Sequence, residues 1–218
     1  MRLLLLDLDD TLVDRAAIFA GWLAEFATDH RLDEPDHRWI TALDDRGRTD
    51  RTVFFGSLTE RFALTGAVAS RVDRWQTEFP ARYRCAPGVL PAMRTAREQG
   101  WRLGVVTNGD AQVQQRKLRA AGLLEHLDAV CISGAESIRK PDPRLFALAA
   151  ERAGAPLSGG WMIGDNPTAD IRGARDAGLS TVWISGGDVW PELDFAPTQT
   201  AVEITHGIEV ILSLPPVG

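Results

Sequence analysis

The sequence predicts an α/β fold, a parallel sheet flanked by helices and interrupted after its first strand by an all-helical insertion. Three observations carry this. Short apolar runs alternate with amphipathic segments along most of the chain, the pattern expected when βαβ units bury a sheet on both faces. Gly100, Gly122, Gly154 and Gly178 each stand just past an amphipathic segment, where a left-handed helix C-cap favours a residue without Cβ. From Asp14 to Arg84 the pattern is helical throughout, with no long strand candidate.

In chain order, residues 3–6 (LLLL) are a buried-strand run that ends against Asp7. The insertion divides into four helices, about 16–30, 36–43, 50–64 and 69–83. They are separated by Asp33-Glu34-Pro35, by the polar run 44–48 and by Leu64-Thr65-Gly66. CAPGV (85–89) is a turn-like return to alternation. Helix 90–99 then precedes strand 101–107 (WRLGVVT), helix 111–121 precedes strand 129–133 (AVCIS), and helix 143–153 precedes strand 161–164 (WMIG). Helix 166–177 leads to strand 179–184 (LSTVWI). The rest reads as loop, followed by a last helix from near Thr205 that packs through Ile208, Val210, Ile211 and Leu212. The predicted domains are therefore 1–13 with 86–218 as a core, and 14–85 as the inserted helical domain.

At 218 residues the chain can bury one sizeable core and a small accessory domain. With 44% apolar and 25% charged residues it reads as an ordinary globular protein. The formal charge of -6 and the lack of a basic stripe argue against nucleic acid as a partner. No run approaches the ~20 apolar residues of a membrane helix, and 3–6 is too short for a signal segment. A cytoplasmic protein with no membrane partner is expected, its oligomeric state open. Cys85 and Cys131 have no metal spacing, and Cys131, inside an apolar strand, reads as a buried small hydrophobe.

In parallel sheets ligands gather beyond the carboxyl ends of the strands. Here those ends carry residues suited to chemistry: Asp7-Leu8-Asp9-Asp10-Thr11 after the first strand, then Thr107-Asn108-Gly109-Asp110. Lys140-Pro141-Asp142-Pro143 comes next, and then Gly164-Asp165-Asn166-Pro167-Thr168-Ala169-Asp170. Core packing gives no reason for carboxylates, a hydroxyl and a lysine to collect on one edge.

In this order the four segments resemble the motifs of the haloacid dehalogenase-like hydrolase superfamily, DLDDT the first, VVTNG the second, the Lys of KPDP the third and GDNPTAD the fourth. The resemblance implies a Rossmann-like core, and the helical insertion is similar to the superfamily's cap of the first type, which closes over the core and selects the substrate. It also implies a phosphatase acting through an aspartyl-phosphate on a small phosphorylated metabolite. Asp7 would be the nucleophile. Asp9 would act as general acid and then base, a duty favoured by the neighbouring charge of Asp7. Lys140 would neutralise charge on Asp7 and on the transferring group, while Thr107 and the amide of Asn108 would hold phosphoryl oxygens. Mg²⁺ would be held by Asp7, the main-chain oxygen of Asp9, and Asp165, with Asp170 an outer or occasional ligand.

Blander readings stand beside these. Asp10 fits a turn residue, and Asn166 and Thr168 fit helix caps. The four histidines (His30, His37, His126 and His206) lie outside every motif. Arg46, Arg48 and Arg51 form a basic cluster that reads first as a solvated connector, or alternatively as a contact to a second anionic group. Trp22, Trp39, Phe54, Phe55, Phe62 and Trp75 read as packing between the inserted helices, with one or two able to line a pocket. A 2-haloacid dehalogenase or a phosphomutase on the same fold is the enzymatic alternative, and a non-catalytic binding protein the other class. The dehalogenase branch has a bulky aromatic where this chain has Asp9, so the acid argues for phosphate.

Overall fold

The structure is a computed structural model and describes residues 1–214. The chain runs β1 (Arg2–Leu6), α1 (Arg15–His30), α2 (Glu34–Asp44), α3 (Arg51–Arg61), α4 (Val68–Glu78), α5 (Val89–Glu98) and β2 (Trp101–Thr107). It continues through α6 (Ala111–Ala120), β3 (Ala129–Ile132), α7 (Ser133–Glu136), α8 (Pro143–Ala153) and β4 (Trp161–Gly164). A wide helical turn (Pro167–Arg172) then leads into α9 (Gly173–Asp176), β5 (Ser180–Ile184), β6 (Gln199–Ala201) and α10 (Ile204–Ser213). Two compact units result, one of Arg15–Tyr83 and one of Met1–Asp14 with the chain from Arg84 onward.

The second unit is built on a six-stranded parallel sheet of order β3-β2-β1-β4-β5-β6. β1 is central and buried along Leu3–Leu6, because strands covered by helices on both faces have no side for polar residues. The chain leaves β1 toward β2 on one side and returns to β4 on the other, which makes the end of β1 the topological switch point. Register fixes what meets there. Leu6 pairs with Val105 and with Ile163, so Asp7 emerges beside the ends of β2 and β4, and its N–H donates to the Ile163 oxygen at 2.9 Å. Under the sheet, Leu3, Leu5, Cys131, Phe146, Met162 and Ala174 form one continuous core. Cys131 is fully buried, and both cysteines are free thiols.

The four glycines expected at helix ends adopt positive φ, from 64° at Gly154 to 87° at Gly178. Three elements depart from expectation. Residues 199–201, read as loop, form the edge strand β6, a three-residue polar segment too short to show alternation. Residue 133 opens the four-residue α7 instead of ending β3. The helix expected over 166–177 begins as a wide turn in which the Ile171 N–H reaches back five residues to the Asn166 oxygen. The physical reason is Asp170, whose side chain faces inward and is fully buried.

In the helical unit, α1, α3 and α4 bury Phe19, Phe54, Phe55 and Trp75, and Trp75 stacks on the buried Phe79 just past α4 at 3.8 Å between ring centroids. Trp22 meets Trp75 edge-on, and Trp39 meets Phe62 in the same way, so all six aromatics expected to pack here do. Arg51 is no solvated connector: with Arg15 it grips buried Asp44 at 2.8–2.9 Å. Arg48 pairs with Asp45 on the surface. Among the described residues no helix is long and apolar enough to cross a membrane.

Candidate active site

At the carboxyl edge of the sheet the structure brings Asp7, Lys140, Asp165 and Asp170 together. Carboxylate oxygens of Asp7, Asp165 and Asp170 lie within 4.8 Å of one another. The Lys140 ammonium is shared between Asp7 at 2.5 Å and Asp170 at 2.6 Å, all three side chains buried. Two buried carboxylates thus share one buried ammonium, with the half-buried Asp165 beside them. Burial, with the charges of Asp170 and Asp165, pushes the Asp7 carboxyl well above its ordinary range despite Lys140. Burial also works against the charge on Lys140, but Asp170 and Asp7 outweigh it and hold the ammonium above its usual range.

Each member is placed by a local device. Lys140 is fixed through its main chain, whose N–H donates to the Asn108 side-chain oxygen at 2.9 Å while its oxygen accepts from Asn108 Nδ2 at 3.0 Å. The Asn108 side chain therefore joins the loop after β2 to the segment that carries Lys140. Asp170 is turned inward by the wide turn, where its carboxylate accepts from the Asn166 N–H at 2.9 Å. A side chain at Gly164 would collide with that carboxylate. The main-chain oxygen of Asp165 accepts from Trp183 Nε1 at 2.7 Å. Asn166 caps the turn by accepting from Thr168 and Ala169, and Asp10 has φ 57° in the turn after β1. These two take the bland roles.

The Asp9 side chain lies outside the carboxylate cluster. Its two oxygens accept from Lys117 Nζ at 3.0 and 2.7 Å, and Oδ2 also accepts from Gln114 Nε2 at 3.1 Å. Gln114 Nε2 donates in addition to Thr107 Oγ1 at 2.7 Å. The sequence pattern did not single out Gln114 and Lys117, although both lie on the core-facing side of α6. Polar residues at i and i+3 on the side that also carries Leu118 were the available signal. The motif resemblance also sets Asp170 at the periphery, whereas the carboxylates that come together are Asp7, Asp165 and Asp170. That trio, oxygen-only, with Asp7 and Asp170 buried and Asp165 half-buried, suits a hard divalent cation such as Mg²⁺. A cavity of about 590 Å³ in the helical unit, lined by Trp22, Phe26, Phe55, Trp75 and Arg71 among others, contains none of these residues.

A family model described as haloacid dehalogenase-like hydrolase matches residues 1–178. The chain is 43% identical over 106 residues to a phosphoserine phosphatase of Thermus thermophilus, a match spanning 49% of this chain and 43% of that protein. It is 28% identical over 202 residues to a glyceraldehyde 3-phosphate phosphatase of Pyrococcus abyssi, spanning 86% and 82%. The first curated relatives are matched over only about half their length. A magnesium-bound hydrolase, YfnB of Bacillus subtilis, superposes with a TM-score of 0.76 at 23% identity, over 96% of this chain and 98% of that one, and so shares the fold.

Proposed function

The chain belongs to the haloacid dehalogenase-like hydrolase family, and we propose that within it the protein is a Mg²⁺-dependent phosphomonoester hydrolase acting on a small phosphorylated metabolite. The single observation that carries this reading is the buried Lys140 ammonium shared by Asp7 and Asp170, beside Asp165. A cation so placed would stabilise negative charge arriving at Asp7, which is what phosphoryl transfer to a carboxylate requires. Phosphatases among the relatives support the same class.

Asp7 would attack phosphorus, forming the carboxyl O–P bond as the ester P–O bond breaks. Asp9 would deliver a proton to the leaving oxygen, then take one from the water that hydrolyses the aspartyl-phosphate. Thr107 Oγ and the Asn108 N–H would hold phosphoryl oxygens, while Lys140 offsets charge on Asp7. Asp7 and Asp165, with the main-chain oxygen of Asp9, would hold Mg²⁺, and Asp170, whose carboxylate lies within 4.8 Å of theirs, would be a further ligand. Bound there, the cation would supply charge neutralisation between nucleophile and phosphate.

The purified protein is expected to hydrolyse p-nitrophenyl phosphate with Mg²⁺ and to stop when EDTA is added. Equal turnover with and without metal would exclude the metal-dependent reading. Release of chloride from chloroacetate without phosphate ester hydrolysis would favour a dehalogenase instead.

A further inference from the structure

We infer that Lys117 and Gln114 are positioning residues for the proton-transfer group, holding Asp9 in register with the phosphoryl-binding hydroxyl of Thr107. The inference rests on the proposed function, in which Asp9 exchanges the protons and Thr107 binds phosphate. Nothing in the four motifs includes either residue.

Three observations carry it. First, Lys117 Nζ contacts both Asp9 oxygens and Gln114 Nε2 contacts one, so three hydrogen bonds fix the carboxylate. Second, the Gln114 amide has two hydrogens, and the structure spends one on Asp9 and the other on Thr107. Thr107 Oγ1 is thereby an acceptor toward Gln114, and its own hydrogen can be directed to a phosphoryl oxygen. Third, Gln114 and Lys117 are 2% and 6% exposed. An ion pair whose ammonium is this deeply buried is a poor device for stability, because desolvation of the charge offsets much of the attraction. The Asp9 side chain keeps 22% of its surface open, so the clamp does not bury it.

The root of this clamp is firm. Asp110 caps α6 by accepting from Gln112 and Val113, and the Gly134 N–H donates to the Gly109 oxygen at 3.0 Å. Lys117 and Gln114 therefore stand one turn apart on a helix pinned at its start. A shift of about 1 Å in a proton-transfer group can cost about 10²-fold in rate, so loss of the clamp should register in chemistry before it registers in binding.

The test compares Lys117→Met, Lys117→Arg, Gln114→Leu, Asp9→Ala and the double variant Asp9→Ala/Lys117→Met in the full chain with Mg²⁺. Two substrates are used: p-nitrophenyl phosphate, whose leaving group needs little protonation, and β-glycerol phosphate, whose leaving alkoxide needs a proton. Lys117→Met and Gln114→Leu should lower kcat/KM on β-glycerol phosphate by about 10- to 100-fold. The loss on p-nitrophenyl phosphate should be clearly smaller, and Lys117→Arg should recover most of it. In the Asp9→Ala background Lys117→Met should add less than about twofold, since residues acting as a unit are not additive. Equal losses on both substrates, or full multiplication of the two effects in the double variant, would overturn the inference. Should Lys117→Met fail to fold by circular dichroism, Gln114→Leu carries the same comparison. Wild-type rates in Asp9→Ala would instead remove Asp9 from the proposed function, and the inference with it, whereas clamp variants that behave additively beside an impaired Asp9→Ala refute the inference alone.

Discussion

Asp7 sits among like charges, and its burial makes the ionised form costly. Because its carboxyl is raised above the ordinary range in the folded chain, ionised Asp7 subtracts from stability once the pH exceeds the unfolded value near ~4. Asp7→Asn removes that cost along with the proposed nucleophile. The variant is expected to lose hydrolysis altogether while melting no earlier than the parent in metal-free buffer at pH 7. Substantial residual hydrolysis would relieve Asp7 of its role. Lys140 poses the opposite case, since its removal leaves Asp7 and Asp170 buried without their cation. Lys140→Met should lower unfolding free energy by roughly 3 kcal/mol in denaturant titrations without metal, by the usual cost of breaking a buried pair. Unaltered stability would mean that the burial of the two carboxylates does not depend on the ammonium.

Several elements are shaped by single side chains. The wide turn after β4 exists because Asp170 must face inward to reach both the Asn166 N–H and Lys140, and one residue of slack in the ladder allows it. Across the sheet, Trp183 of β5 holds the main chain of Asp165 while Trp190 packs edge-on against it, ring centroids 5.0 Å apart. Trp183→Phe keeps the packing and deletes the hydrogen bond. It should raise the Mg²⁺ concentration for half-maximal activity by about tenfold, at the low end for groups that orient ligands, and calorimetric titration of Mg²⁺ should give the same shift. An unchanged metal requirement would leave Trp183 with packing alone. At the opposite end of the sheet, Asp128 accepts from Arg97, Arg102 and the Leu103 N–H at 2.6–2.9 Å. It ties α5, β2 and the turn before β3 together, so Asp128→Ala should cost about 2 kcal/mol, measured by thermal unfolding with activity retained.

Over the whole molecule, pH stability follows from carboxylates like these. Burial works to raise Asp128, but the Leu103 N–H, Arg102 and Arg97 outweigh it and hold it below the usual carboxylate range. Asp142, capping α8 and paired with Arg144, lies at about 2. A group held low in the folded state contributes its full stabilisation above the unfolded value near ~4 and loses it as the pH falls through the folded value. The melting temperature should therefore drop steadily as the pH is lowered from about 4 to about 2, and a flat profile there would show these contacts to be energetically idle. The helical unit is stabilised by different means, an aromatic core and two arginines on one buried carboxylate. No sequence pattern announced that arrangement, because Arg15, Asp44 and Arg51 are brought together only when α1, α2 and α3 pack.

The order of residues by itself determined the strand-helix alternation, the buried strand at 3–6, the glycine caps and the four loops bearing Asp7, Thr107, Lys140 and Asp165. Those features arise from local periodicity and from chemistry concentrated after each strand, both of which are written along the chain. Tertiary packing alone decided that Asp170 enters the carboxylate cluster, that Asp9 is held by Lys117 and Gln114, and that β6 exists at all. Each depends on which surfaces meet between segments distant in sequence, where spacing along the chain no longer constrains distance in space.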